Sequence, residues 1–207
     1  MQENITTQFN LKTIENGHHK IEYRGVKNLK CPFDYVMYQM IINQIKPDLI
    51  IEIGTFMGGN ALYMADLLET IQNGEVHTID IQNYVESDLI NNHPRIKRFL
   101  GGYENYDLSI TEGFQKIMVI DDGSHQYLDV LRAFEKFNKV VSTNSYYVIE
   151  DGILTELGYG ESHHGGPLKA IEEIINNNNE YKIDRSWCDF FGQNATFNPN
   201  GYLIKNS

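Results

Sequence analysis

Residues 117–125 read IMVIDDGSH, an apolar run that ends in two adjacent carboxylates, Asp121 and Asp122, and then His125. A second apolar run, YYVIED, ends in the acids Glu150 and Asp151, and a third, VHTID, ends in Asp80. A strand of this kind is buried along its length but not at its end, and in an open α/β sheet the ligand crevice lies at the carboxyl ends of the strands. Acids on separate strands would therefore converge on one rim, where they repel each other unless a cation binds among them. Oxygen-only donors with positions left open to water and substrate suit Mg²⁺, with Mn²⁺ as a substitute. His125, three residues beyond Asp122, is expected in the first turn of the next helix and faces the same rim as a base, since an unperturbed imidazole titrates near ~6.5. For Asp122 alone, electrostatic capping of that helix is the better explanation of an acid. The matching pair at 150 and 151 favours the site. Asp121 is read as structural, because alternation along a strand turns it away from its neighbour.

The stretch IEIGTFMGGNAL sets Glu52, Gly54, Thr55, Gly58 and Gly59 across a strand-to-helix turn. Glycine lets the backbone approach a ligand there, and the free N–H groups of the following helix face it. The spacing is not the GxGxxG of dinucleotide enzymes, since Phe56 stands where the second glycine belongs. An acid at Glu52 suits an ammonium group better than a pyrophosphate. Asp80 ends the next strand, at the ~20-residue interval from which a carboxylate reaches ribose hydroxyls. Two acids and a glycine turn together imply an adenosine ligand with a cationic tail, and S-adenosylmethionine is the candidate.

These residues need a scaffold, and the hydrophobic pattern supplies one. LIIEIG, VHTID, IKRFL, IMVID, YYVIED, YKIDRS and GYLIK read as strands. The intervening helices are a segment from Pro32 carrying Val36, Met40, Ile41 and Ile45, then NALYMADLLETI, HQYLDVLRAFEKFNKVV and PLKAIEEII. In the third of these, Tyr127, Leu131, Phe134, Phe137 and Val141 form the apolar stripe, with Ser124 as its N-cap. Strands alternating with helices predict an α/β fold with a mostly parallel sheet covered on both faces. The turn signal NPNG before the last strand predicts that this strand is antiparallel. Residues 1–30 are polar, with His18, His19, Tyr23 and Arg24 among them, and read as an N-terminal arm or lid ahead of a domain spanning 31–207. GYGESHHGGP, with His163 and His164, reads either as a mobile loop over the site or as a solvated one.

The 207 residues suffice for one well-buried domain. A formal charge of −11 excludes duplex DNA and anionic membranes as natural partners, since both need a basic surface. No apolar run approaches the ~20 residues of a membrane span. Cys31 and Cys188 lie far apart, and the start MQENITTQFN has no signal-peptide pattern, so a cytoplasmic protein with reduced thiols is expected.

The motifs together resemble the cephalosporin hydroxylase family of class I methyltransferase-like proteins, a group similar also to bacterial rhamnosyl and macrolide-sugar O-methyltransferases. The likeness runs from about Tyr23 to the end. It is carried by Gly25 and PFD, KPDLIIEIGTFMGGNALYMADLL, VIDDGSH, YYVIEDG, GGPLKAIEE and DRSWCDFFGQNATFNPNGYL. The resemblance implies a Rossmann-like, seven-stranded methyltransferase fold, Mg²⁺ on Asp122, Glu150 and Asp151, and His125 as base. It places S-adenosylmethionine on the Glu52–Gly59 turn with Asp80, beside Asp122. It also implies a small acceptor, a hydroxyl of a sugar or natural product, and self-association of the chain. DGSH, where related sequences often carry a DSDH-like motif, favours the methyl-transfer side of the group. GGYENYD lacks the acidic start expected of an adenine contact, so none is assigned. Two rivals remain at this stage: an oxidative enzyme whose iron would take His125, Asp122 and His163 or His164, and a non-catalytic S-adenosylmethionine-binding module. The acid pair at 150 and 151 argues against iron.

Overall fold

A computed structural model describes residues 10–206. Seven strands form one sheet: β3 (Leu49–Ile53), β4 (Glu75–Asp80), β5 (Ile96–Leu100), β6 (Ile117–Asp121), β7 (Tyr146–Ile149), β8 (Tyr181–Ile183) and β9 (Tyr202–Lys205). Their order is β5-β4-β3-β6-β7-β9-β8. The pairs from β5 through β7 are parallel, and β9, inserted between β7 and β8, is antiparallel to both. The seven expected strands and the reversed last strand are all present. The reversal follows the turn at 198–201, where Gly201 N–H donates to the Asn198 carbonyl at 2.9 Å.

Alternation divides the strand side chains between two cores. Ile51 and Ile53 of β3, Val119 of β6 and Tyr147 of β7 face α5 (Tyr127–Phe137) and α6 (Gly166–Asn177). Ile50, Ile120 and Val148 face the other way, onto α2 (Pro32–Ile45), α3 (Gly59–Thr70) and α7 (Arg185–Cys188). A short α4 (Asp88–Asn91) follows β4. In α2 the buried face is Met37, Tyr38, Ile41 and Ile42, whereas Val36 and Met40 are exposed. The apolar content of that helix runs nearly all round it, so its periodicity does not single out the inner face. α5 begins at Tyr127 and ends at Phe137, shorter at both ends than the expected segment 125–141 and stopping one turn short of Val141 in its apolar stripe. Ser124 is not its cap: Gln126 holds that position, and Ser124 Oγ donates to Asp129 at 2.8 Å.

Residues 10–30 carry structure of their own. Asn10 caps α1 (Leu11–His18) through a reciprocal pair of bonds with Thr13. β1 (Glu22–Tyr23) and β2 (Val26–Lys27) form a hairpin whose turn residues, Arg24 and Gly25, both have positive φ, as a tight two-residue turn requires. The hairpin is pinned to α3 through Asp66, which accepts from the Tyr23 hydroxyl at 3.0 Å and Arg24 Nη1 at 2.8 Å. Among the described residues no helix is long and apolar enough to cross a membrane. Cys31 and Cys188 are free and buried.

The sheet register positions the site. Ile79, Ile53, Asp121 and Ile149 sit at one level of four adjacent strands. The next residue on each strand is therefore Asp80, Gly54, Asp122 and Glu150, side by side at the carboxyl edge.

Candidate active site

A cavity of about 640 Å³ opens above that edge. Gly54, Thr55, Gly59, Asp80, Asp122, His125 and Asp151 all line it, whereas Glu52, Gly58 and Glu150 do not.

On the β3–β4 side, the turn is held from two directions. Asp80 Oδ2 accepts the backbone N–H of Thr55 at 3.0 Å and of Phe56 at 2.8 Å, so its carboxylate fixes the loop as well as facing the cavity. Gly54 has φ +101°, and a Cβ there would lie 2.0 Å from the Asp122 carbonyl oxygen. Its glycine is thus demanded by the neighbouring strand, whose Asp122 N–H donates to the Ile53 carbonyl at 2.8 Å. Glu52 is fully buried beneath the turn. Its two oxygens accept from Asn60 Nδ2 at 2.8 Å and Thr78 Oγ1 at 2.5 Å, and Thr78 Oγ1 meets Thr55 Oγ1 at 2.7 Å. Burial pushes the Glu52 carboxyl up to about 8. Its polar reach ends on protein groups, so it supports the turn from below. Ile81, Gly102, Tyr103 and Glu104, beyond the ends of β4 and β5, extend the cavity wall where the sequence offered no contact.

On the β6–β7 side, Asp122, His125 and Asp151 each present one ligand atom within 4.8 Å of the others, a grouping able to hold a metal ion. His125 Nε2 lies 3.4 Å from Asp151 Oδ2 and 3.9 Å from Asp122 Oδ1. His125 stands in the turn before α5, not in its first turn, with φ +56°; Asp151 has the same φ. Left-handed backbone at a non-glycine residue costs on the order of 1 kcal/mol or more, and His125 and Asp151 share it with turn residues such as Arg24. Asn198 Oδ1 accepts the Asp151 N–H at 3.1 Å, so the NPNG segment helps to hold that conformation.

Glu150 turns inward. Its Oε1 accepts the Tyr38 hydroxyl at 2.7 Å and its Oε2 pairs with Lys30 Nζ, which also lies 3.1 Å from Asp122 Oδ2. Lys30, absent from any motif read above, is 2% exposed. Burial alone would lower its pKa, but the charges of Asp122 and Glu150 reverse the sign and raise it. The two carboxyls are pushed up by burial and held down by that ammonium. The cluster thus contains its own counter-charge. Asp121 is buried and also reaches the cavity wall, and burial pushes it up to about 7. His163 and His164 stand outside the grouping: the first pairs with the Tyr159 carbonyl at 2.9 Å and the second with Gln126 Oε1 at 2.9 Å. The two-histidine arrangement that iron chemistry wants does not form among the described residues.

The far wall brings in the N-terminal segment. Glu15, His18 and His19 of α1 and its end line the cavity together with Ile153, Leu154, Leu157 and Tyr159, and Leu11 and Ile14 of α1 pack on the same cluster as Ile153 and Leu157. Phe197 joins them, its backbone N–H donating to Asp34 Oδ2 at 3.2 Å. Asp34, the acid of the PFD motif, also accepts from Thr196 Oγ1 at 2.5 Å and the Tyr202 hydroxyl at 3.2 Å, and so ties α2 to the closing motif.

A family model described as Rhamnosyl O-methyltransferase/CmcI matches residues 16–206. The rhamnosyl O-methyltransferase of Mycobacterium tuberculosis is 29% identical over 197 residues, covering 90% of this chain and 79% of the relative. That of Mycobacterium leprae is 28% identical over 198 residues, covering 88% and 82%. Among solved structures, CmcI with SAH superimposes with a TM-score of 0.70 at 15% identity, covering 100% of this chain and 97% of that one. CmcI with Mg and SAM gives 0.63 at 19% identity, covering 91% and 78%. The O-methyltransferase TomG from Streptomyces achromogenes in complex with SAM gives 0.58 at 14% identity, covering 99% and 93%. At these identities the structural likeness is one of fold.

Proposed function

The chain belongs to the Rhamnosyl O-methyltransferase/CmcI family, and from that premise we propose that it is an S-adenosylmethionine-dependent, Mg²⁺-assisted O-methyltransferase acting on a sugar hydroxyl. The relatives' names supply the sugar. The observation that carries the reading is that one cavity takes in both the turn from Gly54 to Gly59 with Asp80 and the grouping of Asp122, His125 and Asp151.

The residues present fit both groups. The N-terminus of α3 offers N–H groups, those of Gly54, Thr55, Phe56 and Gly58 in the turn being taken by protein oxygens, and Asp80 keeps lone pairs for ribose hydroxyls beyond those it gives to Thr55 and Phe56. Asp122 and Asp151 are hard oxygen donors suited to Mg²⁺, which keeps water ligands and so needs few from the protein. Glu150 is the third carboxylate of the centre, placed behind it on Lys30. When bound, S-adenosylmethionine supplies an electrophilic methyl on a sulfonium, and Mg²⁺ lowers the pKa of a hydroxyl and fixes its position.

His125 takes the proton of the reacting hydroxyl. One nitrogen cannot both ligate an ion and accept a proton, and with two carboxylates available for the ion, Nε2 is free for the base role. Asp151, 3.4 Å from that nitrogen, stabilises the imidazolium that results. Lys30 offsets the negative charge of Asp122 and Glu150, so the acids stay together before any ion arrives. Glu52 and Gly58 act through the shape of the turn.

Calorimetric titration of S-adenosylmethionine, with Mg²⁺ and after chelation, tests the proposal together with Asp122→Ala. Both ligands should bind the wild type. The variant should lose the metal response and turnover while retaining S-adenosylmethionine and the fold. A wild type that binds neither ligand defeats the reading.

A further inference from the structure

The wall formed by α1 and residues 153–159 has no part in the proposed holding of the cofactor or the ion, yet it lines the same cavity. Two of its polar groups are arranged by the protein itself. Glu15 is 5% exposed although charged. Lys12 Nζ lies 2.5 Å from one of its oxygens, and the Tyr159 hydroxyl donates to the other at 3.4 Å, so the carboxylate ties α1 to the segment that packs beside it. His18 Nδ1 lies 2.6 Å from the Glu15 carbonyl oxygen, which can only accept, so that nitrogen carries the proton. Nε2 is then an acceptor, and among the described residues it has no hydrogen-bond partner. Burial lowers the His18 pKa and favours this neutral ring. The ring itself is fixed by an edge contact with Phe197 at 5.1 Å. Ile153, Leu154 and Leu157 add an apolar surface. An acceptor nitrogen and a carboxylate beside an aliphatic surface form a wall that selects by hydroxyl placement in one part and by shape in the other.

Resting on the methyltransferase reading, we propose that this wall is the acceptor subsite. It takes a hydroxylated ring, with His18 Nε2 accepting a hydrogen bond from one hydroxyl, Glu15 from another, and the Ile153–Leu157 surface packing a deoxygenated face. The N-terminal segment then determines which hydroxyl is presented to His125.

The test uses methyl α-L-rhamnopyranoside as acceptor probe, with S-adenosylmethionine and Mg²⁺. His18→Phe keeps the aromatic contact with Phe197 and removes both ring nitrogens. It should raise KM for the rhamnoside about ten-fold while changing kcat little, as loss of a hydrogen bond made equally in the ground and transition states does. Glu15→Gln, which keeps one acceptor oxygen but loses the carboxylate's charge, should act in the same direction and more weakly. His18→Gln, whose amide oxygen accepts a hydrogen bond, should recover part of the loss. Tyr159→Phe perturbs Glu15 from outside α1 and guards against a variant in which α1 fails to form. In all four, S-adenosylmethionine and Mn²⁺ affinities should stay within about two-fold of wild type, the null range for groups outside those sites. An unchanged rhamnoside KM in His18→Phe and Glu15→Gln overturns the proposal, as does a parallel loss of cofactor affinity. A wild type that binds S-adenosylmethionine but neither binds nor methylates the rhamnoside overturns the hydroxylated-ring assignment and leaves the methyltransferase reading standing. Absence of S-adenosylmethionine binding would instead defeat that reading itself.

Discussion

Lys30 carries its charge to a place that is 2% exposed, against the carboxylates of Asp122 and Glu150 and 5.6 Å from the centre of the Tyr38 ring. Removing one partner of such a buried cluster leaves uncompensated charge and costs about 3–5 kcal/mol. Lys30→Met should therefore lower the urea midpoint strongly. The three acids should differ when changed singly. Asp151 faces the cavity within the grouping of Asp122 and His125, whereas Glu150 is occupied by Lys30 and Tyr38. Mn²⁺ binding followed by electron paramagnetic resonance should be lost in Asp151→Asn but weakened only about ten-fold in Glu150→Gln, the effect of a group that orients a ligand from behind. Equal losses in both would make Glu150 a direct ligand of the same rank. The acids were legible in the sequence because each ends a recognisable strand. Lys30 was not, since a lysine in the polar stretch GVKNLK carries no sign that Tyr38 and Glu150 will close over it.

At the scale of elements, the strand-to-helix turns decide whether those side chains meet. Gly54 is the tightest point, with the Asp122 carbonyl 2.0 Å from where its Cβ would lie. Gly54→Ala must push β3 and β6 apart or twist φ from +101°, and a displacement here moves both Asp122 and the loop held by Asp80. Expected is a loss of stability of about 2 kcal/mol or more, with S-adenosylmethionine and Mn²⁺ affinities falling together. Retention of either at wild-type strength in a folded variant would show that the two halves of the site are not coupled through this contact. The strands and the main helices were readable because period-2 and period-3.6 patterns are strong in buried elements. What escaped is what lacks such a pattern: α1, with Glu15 as its only buried residue, and a hairpin with strands of two residues. The left-handed turn at His125 also escaped, because Ser124 mimics a cap and the helix starts only after Gln126.

For the molecule as a whole, three buried carboxyls set a dependence on pH that is opposite in sign to that of ordinary acids. Burial pushes Asp34 up to about 7, Asp121 to about 7 and Glu52 to about 8, against ordinary values of 3.8 for aspartate and 4.5 for glutamate. Between those limits the folded protein holds protons that the unfolded chain has released, so stability falls as pH rises. Their contribution is fully present below about pH 4 and is lost as the pH climbs through about 7 to 8. The formal charge of −11 adds self-repulsion of the same sign, since each acid that ionises makes the chain more negative. Glu52 separates the two effects. Its partners, Asn60 and Thr78, are neutral, so Glu52→Gln replaces a carboxyl that must ionise at high pH with a group that cannot. Urea midpoints measured from pH 5 to 8 should fall less steeply for Glu52→Gln than for wild type, with the gap widening across that range and levelling off above about pH 8. Parallel curves would mean that Glu52 ionises as easily in the folded protein as in the unfolded chain, leaving the slope to Asp34, Asp121 and general charge repulsion.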